Sequence, residues 1–221
     1  AALATHMRFA GDDATRLAAI DRAAASSANV ALISRVTQGC QPVGPARRVT
    51  ACERNLALEL DGEPAMSCLL RDLGEMREVT FTGAQGDPVQ MWLTFPPGFD
   101  ARRRHPVLHL IHGGPHSVFG DNWHYRWNNP LFASQDDGYV VAVVNYHGSS
   151  GFGHAFLDSI THRWGELELQ DIEAATDWLI KQPWVDKKRI SATGGSYGGY
   201  MVAWMNGHCE PGRYQAYVCH A

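Results

Sequence analysis

Arg189-Ile190-Ser191-Ala192-Thr193-Gly194-Gly195-Ser196-Tyr197-Gly198-Gly199-Tyr200 decides the fold. Residues 189–193 read as a strand and residues 196–206 as a helix opening at Ser196, so G-x-S-x-G falls in a strand-to-helix turn. In that context the pattern is a nucleophile elbow. The turn is so sharp that the serine hydroxyl projects beyond the sheet edge. Gly194 and Gly198 are small because larger side chains would collide across the turn. The helix start aims backbone N–H groups and the positive dipole end at the reacting oxygen. Ser196 is the candidate catalytic nucleophile. A glycine-rich turn that only packs a helix on a strand is the bland alternative. A phosphate loop is a poorer one, since no Gly-Lys-Ser/Thr follows.

Working outward, residues 107–111 (VLHLI) form a nearly continuous apolar run, as in a strand buried on both faces. His112-Gly113-Gly114-Pro115-His116 follows directly. An α/β-hydrolase places its second oxyanion donor at this point, so Gly113 and Gly114, together with the backbone N–H of Tyr197, are the candidate oxyanion hole. A second buried run covers residues 139–144 and leads into Asn145-Tyr146-His147-Gly148-Ser149-Ser150-Gly151-Phe152-Gly153. That segment reads equally as a flexible loop or as a pocket wall at the C-terminal edge of the sheet, where open α/β sheets bind ligands. His116, Tyr146 and Tyr200 are the candidate substrate-binding residues. Residues 166–181 show Ile172, Ala175 and Leu179 at helical spacing before Pro183, and residues 214–219 read as a fourth buried strand.

Residues 76–95 alternate apolar and polar positions on either side of Gly83-Ala84-Gln85-Gly86-Asp87, which reads as a hairpin. The chain therefore divides near residue 75. Residues 76–221 are expected to form the N-terminal part of an α/β-hydrolase domain, an α/β fold incomplete at its C-terminal end. Residues 1–75 are rich in Ala, Gly and Pro, with short apolar runs at 17–20, 30–33 and 56–60 separated by turn signals, and read as a short all-β segment.

The motif set HGGP, NYHGSSGFG, RWG at residues 163–165 and GGSYGGY, with the final strand YQAYVCHA, resembles the catalytic domain of the prolyl oligopeptidase family. Gly195 before the serine is similar to the acylaminoacyl-peptidase and dipeptidyl-aminopeptidase branch; prolyl oligopeptidase and dipeptidyl-peptidase IV carry tryptophan there. The resemblance implies a serine-type peptidase acting on short peptides, and it implies that residues 1–75 are the end of a β-propeller gating the active site. His147 departs from the family, which usually has arginine, and is expected to alter the pocket loop.

The composition narrows the partners. Net charge is −4 and no basic run, Arg102, Arg103, Arg104 included, is longer than three residues, too little surface for nucleic acid. No apolar stretch approaches the ~20 residues of a membrane helix, and no signal peptide is visible. Five cysteines without a C-x-x-C pair suggest neither a zinc site nor a disulfide framework, so the compartment, cytoplasmic or periplasmic, stays open. His105, His109, His112, His116 and His124 are dense, yet no HExxH occurs, and His109 and His112 should lie on opposite strand faces. Neither metal nor other cofactor is expected. Trp123, Trp127 and Trp164 read as packing or pocket walls. A homo-oligomer is compatible with the sequence.

In this fold the triad order is Ser, then Asp or Glu, then His. After Ser196 come one acid, Glu210, and two histidines, His208 and His220. Glu210 sits in a Glu-Pro-Gly turn, so a Ser196–Glu210–His220 triad is not expected; His208 reads as a helix-end residue and His220 as a pocket-edge or structural one. The expectation is a partial chain whose acid and base lie elsewhere, with an exposed apolar edge at 214–219 and poor solubility in isolation. A serine peptidase is the first reading, a carboxylesterase the second, and a noncatalytic binding module the third.

Overall fold

The structure is a computed structural model that describes residues 46–220, apart from 55, 122, 123, 125 and 136. The runs expected at 17–20 and 30–33, Cys40 and Trp123 lie outside the described residues. Strands β1 (Val49–Glu53), β2 (Leu56–Leu60) and β3 (Glu63–Pro64) form a small antiparallel sheet. Helix α1 (Ala65–Leu73) follows, an element the all-β reading of residues 1–75 did not contain. It is amphipathic: Cys68 is buried and hydrogen-bonds Leu60 O, while Met66 and Leu69 are exposed.

The larger sheet begins with the hairpin β4 (Met76–Thr82) and β5 (Pro88–Thr94), then β6 (His105–Ile111), β7 (Val140–Asn145), β8 (Val185–Gly195) and β9 (Ala216–His220), in the order β4-β5-β7-β6-β8-β9. β4, β5 and β7 pair antiparallel; β7, β6, β8 and β9 are mutually parallel. The parallel strands are joined through α2 (Asn129–Ala133), α3 (His154–Asp158), α4 (Leu167–Leu179) and α5 (Tyr197–His208). Alternation of strand and helical patterns thus produced the expected α/β sheet, with its parallel strands together.

Its strands read as they pack. In β5 the alternate residues Val89, Met91 and Leu93 are fully buried, whereas all six residues of β7 are buried because helices cover both faces. β8 is longer than residues 189–193 and runs into the elbow; α4 stops short of the expected 166–181. The final strand is in part a correction. Residues 214–219 were read both as a buried strand and as an exposed apolar edge of a partial sheet; among the described residues β9 pairs only with β8 at the sheet edge, and Val218 is 57% exposed, so the burial is what fails. Tyr214 is buried just before the strand starts.

Candidate active site

The elbow lies where β8 hands over to α5, at the C-terminal edge of the parallel strands. Ser196 caps the helix rather than starting it, with φ 55° and ψ −124°, a left-handed backbone that an L-residue adopts at a cost of about 1–3 kcal/mol. Both flanking glycines are required by close approach. A β-carbon on Gly194 would lie 2.7 Å from Ile111 O and from Gly198 O, and one on Gly198 would run into Ile111 O. Ser196 N–H donates to His220 O at 2.9 Å, and Tyr200 N–H donates to Ser196 O at 3.1 Å. Among the described residues, no hydrogen bond engages Ser196 Oγ.

The HGGP turn abuts this elbow. A β-carbon on Gly113 would lie 3.0 Å from Gly195 O, 3.4 Å from Ser196 Cβ and 3.8 Å from Tyr197 N. Gly114 has φ +128°, and a β-carbon there would press on the backbone nitrogens of His116 and Ser117. Tyr197 is the first residue of α5, where backbone N–H groups have no partner within the helix. Gly113 and Tyr197 therefore come together beside Ser196, and Gly114 follows Gly113 in the turn.

Beneath the turn, His112 and Ser149 are buried, with His112 Nε2 2.9 Å from Ser149 Oγ and Nδ1 2.9 Å from Gly113 O. Burial pushes the His112 pKa down to about 4, so the ring is neutral. Tyr146 stacks on it at 4.2 Å and donates its hydroxyl to His112 O at 2.7 Å. Tyr146 is 0% exposed, so it stands under the floor of the site and not in a wall open to substrate. His116 faces outward: with Thr161, His162 and Trp164 it lines an open cleft of about 470 Å³. Its Nδ1 pairs with Gly148 O at 2.8 Å. Tyr200 is 39% exposed and lies between the rings of Tyr197 and Trp204.

The Tyr197 side chain is tied down by a residue that sequence reasoning passed over. Its hydroxyl donates to Glu168, which is fully buried and also accepts Gly165 N–H at 3.1 Å. Burial, then the Glu168 carboxylate, holds the Tyr197 phenol well above its usual range. Trp204 on α5 donates to Gly165 O at 2.9 Å, and Trp164 meets Tyr197 edge-on at 5.3 Å. The RWG motif thus docks on the elbow helix. The available signal was in α4: Glu168 and Asp171 fall on the same buried stripe as Ile172, Ala175 and Leu179.

His147 is a second correction. It was expected to alter a pocket loop, but its side chain is 1% exposed. Its backbone N–H and Nδ1 both reach Asp171 Oδ2 at 2.7 Å, Nε2 lies 3.3 Å from Asp87, and Phe156 stacks on the ring at 4.3 Å. The missing bulk before the nucleophile is also accounted for. A β-carbon on Gly195 would meet the ring of Trp127 at 2.5 Å, so Trp127 fills that space.

No base reaches the nucleophile within the described residues. His220 offers its carbonyl to Ser196 N–H, while its ring lies edge-on to Trp127 at 6.1 Å. Glu210 accepts Arg213 N–H in its turn, and His208 stacks on Trp204 at the end of α5. Among the described residues no group of three or more His, Cys, Asp or Glu side chains could hold a metal, and no helix is long and apolar enough to cross a membrane.

Residues 123–221 match the model of the prolyl oligopeptidase family, and residues 9–63 match that of the FIST N domain. Dipeptidyl-peptidase 5 of Schizosaccharomyces pombe is 38% identical over 144 residues, covering 65% of this chain and 21% of the relative. Dipeptidyl-peptidase 5 of Porphyromonas gingivalis is 38% identical over 136 residues, covering 62% and 19%. The chain thus spans about a fifth of the length of these curated relatives. Among solved structures, the acylaminoacyl peptidase of Pyrococcus horikoshii superposes with a TM-score of 0.57 at 28% identity, over 71% of this chain and 25% of that one. Elbow, HGGP turn and strand order agree with these likenesses, and residues 123–221 are similar to the prolyl oligopeptidase family.

Proposed function

We propose that this chain supplies the nucleophile and the oxyanion donors of a serine-type peptidase that cleaves short peptides near their N-terminal end, of the dipeptidyl- or acylaminoacyl-peptidase type. The observation that carries this is the strained Ser196 backbone at the end of β8, set against Gly113 and the first N–H of α5. A residue held at φ 55° is maintained by its surroundings, and such strain collects at sites where geometry has a use.

The chemistry follows from this placement. Ser196 Oγ attacks the scissile carbonyl carbon while a histidine base takes its proton; this base and its acid come from outside the described residues. The C–N bond breaks as the leaving amine receives that proton, and an acyl-serine remains. Water, deprotonated by the same base, releases the acid product and restores Ser196. The carbonyl oxygen carries the developing charge toward the N–H groups of Tyr197 and Gly114, with Gly113 lining the approach; one such donor is worth about 10²–10³ in turnover. For residues 1–75, the propeller reading is supported by the family resemblance and the antiparallel strands at 49–64, and the FIST N match covers part of the same stretch.

The test compares wild type and Ser196→Ala in the intact natural protein on dipeptidyl anilides, acylaminoacyl anilides and short-chain esters. Wild type is expected to cleave an anilide class, and Ser196→Ala to lose roughly 10⁴-fold or more while keeping its melting temperature. Cleavage of esters alone would favour the carboxylesterase reading. Anilide turnover that survives Ser196→Ala would remove Ser196 from the mechanism, and an inert wild type would favour a noncatalytic module.

A further inference from the structure

The cleft lined by His116, Thr161, His162 and Trp164 borders both segments that carry the oxyanion donors. His116 follows Gly114 by two positions in the HGGP turn, and Trp164 meets the Tyr197 ring edge-on at 5.3 Å. A substrate carbonyl held between Gly114 and Tyr197 belongs to the residue on the acyl side of the scissile bond. That residue's side chain branches one atom away from the carbonyl, so it is the first to reach the cleft. We propose that this cleft is a specificity pocket for an acyl-side aromatic residue with a hydrogen-bond donor at its tip, tyrosine before phenylalanine, with Trp164 as the stacking face and His116 as the acceptor. The proposal rests on the serine-peptidase reading above.

The lining atoms select that chemistry. His116 Nδ1 lies 2.8 Å from Gly148 O, a carbonyl that only accepts, so Nδ1 carries the hydrogen. In the neutral ring Nε2 then holds a lone pair, and among the described residues no hydrogen bond engages it. Gly148 is itself held: its N–H donates to Phe156 O at 3.0 Å, and its φ of +96° sets it against Ile160, where a β-carbon would collide. The Thr161 hydroxyl gives its hydrogen to Asp158 Oδ1 at 2.8 Å, so its oxygen too has only lone pairs to offer. Trp164 is 53% exposed although it packs edge-on against Tyr197, which leaves indole surface for a second ring. The turn that carries it is fixed in shape. His162 keeps a left-handed φ of 65°, flanked by Thr161 N–H on Asp158 O and Arg163 N–H on Ile160 O, both at 3.0 Å. A cationic side chain is served less well. Among the described residues no acid lines the cleft, and Arg163 stands beside Trp164 in the chain.

The experiment uses the intact natural protein and one series of anilides with tyrosine, phenylalanine, alanine or lysine at the acyl-side position, reading kcat/KM for each. Calorimetry on Ser196→Ala reads the binding of the matching amides. Wild type is expected to prefer tyrosine to phenylalanine by about 2–10-fold, the worth of one net hydrogen bond, and both to alanine. His116→Leu is expected to bring the tyrosine-to-phenylalanine ratio to about one, and Trp164→Ala to cut both aromatic-to-alanine ratios by about 2–10-fold. Ratios taken within one variant cancel any general damage to the elbow. Phenylalanine level with tyrosine, lysine ahead of both, or a ratio unmoved by His116→Leu would overturn the assignment. Should a variant not fold, the wild-type order of substrates decides. Equal binding of the tyrosine and phenylalanine amides to Ser196→Ala overturns it even where no anilide is cleaved. Anilide turnover that survives Ser196→Ala would bring down the hydrolase reading itself.

Discussion

Adding one methyl group at Gly194 should loosen the whole site. In the folded chain, its β-carbon would sit 2.7 Å from Ile111 O on β6 and 2.7 Å from Gly198 C and O on α5. Neighbours at under 3.0 Å must shift, and these are backbone atoms on two sides, so retreat from one drives the methyl into the other. Strand and helix must part by a few tenths of an ångström each. Overpacking of this kind costs about 1–3 kcal/mol. For a domain of this size each kcal/mol lowers the melting temperature by roughly 2–4 °C, so Gly194→Ala should melt about 2–12 °C below wild type. The same displacement separates the HGGP turn from the Tyr197 N–H, so kcat should fall by about 10–10²-fold. Gly207 is the control. It lies in α5 with nothing within 4 Å of an added β-carbon, and Gly207→Ala should stabilise the helix by up to about 1 kcal/mol. Thermal unfolding followed by circular dichroism, with anilide turnover on the same samples, reads both effects. A Gly194→Ala protein that melts with wild type, or a Gly207→Ala protein that falls as far, would refute the steric reasoning.

Three further outcomes are expected. For His147, burial lowers the pKa, but the hydrogen bonds and charges of Asp171 and then Asp87 outweigh it, and the net shift is upward from 6.5. Its stabilising contribution is therefore complete below that unfolded value and is lost as pH rises through the raised folded value, so wild type should lose more stability than His147→Asn as the pH is raised from below 6.5 in urea titrations. Gly195→Ala should be destabilised by the Trp127 ring, and Trp127→Leu in the same chain should recover part of the loss; additive melting shifts in the double variant would count against their contact. Glu168→Ala should cost about 1–3 kcal/mol by stranding the buried Tyr197 hydroxyl and Gly165 N–H, and Glu168→Ala with Tyr197→Phe should cost less than the sum of the two, measured by denaturant unfolding.

The nucleophile elbow was legible because its physics is local. A strand, a turn with glycine on both sides of a serine, and a helix occupy twelve consecutive residues, and periodicity together with steric need at Gly194 and Gly198 marks them. The HGGP turn was legible for the same reason, as glycines directly after a buried strand. The apolar runs 107–111 and 139–144 likewise predicted buried parallel strands. Tyr146 was read as a pocket residue and is part of the floor, because a one-dimensional pattern places a residue on a loop but not on the inside or outside of it. The reading of β9 as buried failed for a similar reason: apolar composition reports β-propensity, whereas burial depends on which strands lie alongside.

From its sequence alone, then, the chain determined its alternating strand and helix order, its candidate nucleophile and the glycines around it, all consequences of residues near one another along the backbone. Tertiary structure decided what the buried polar groups do. Glu168 reaches Tyr197 across 29 residues, Asp171 reaches His147 across 24, and Ser149 reaches His112 across 37. A buried polar group must find a partner, but the sequence does not say which, because the choice is made by the packing of α4 and the post-strand loops against the elbow.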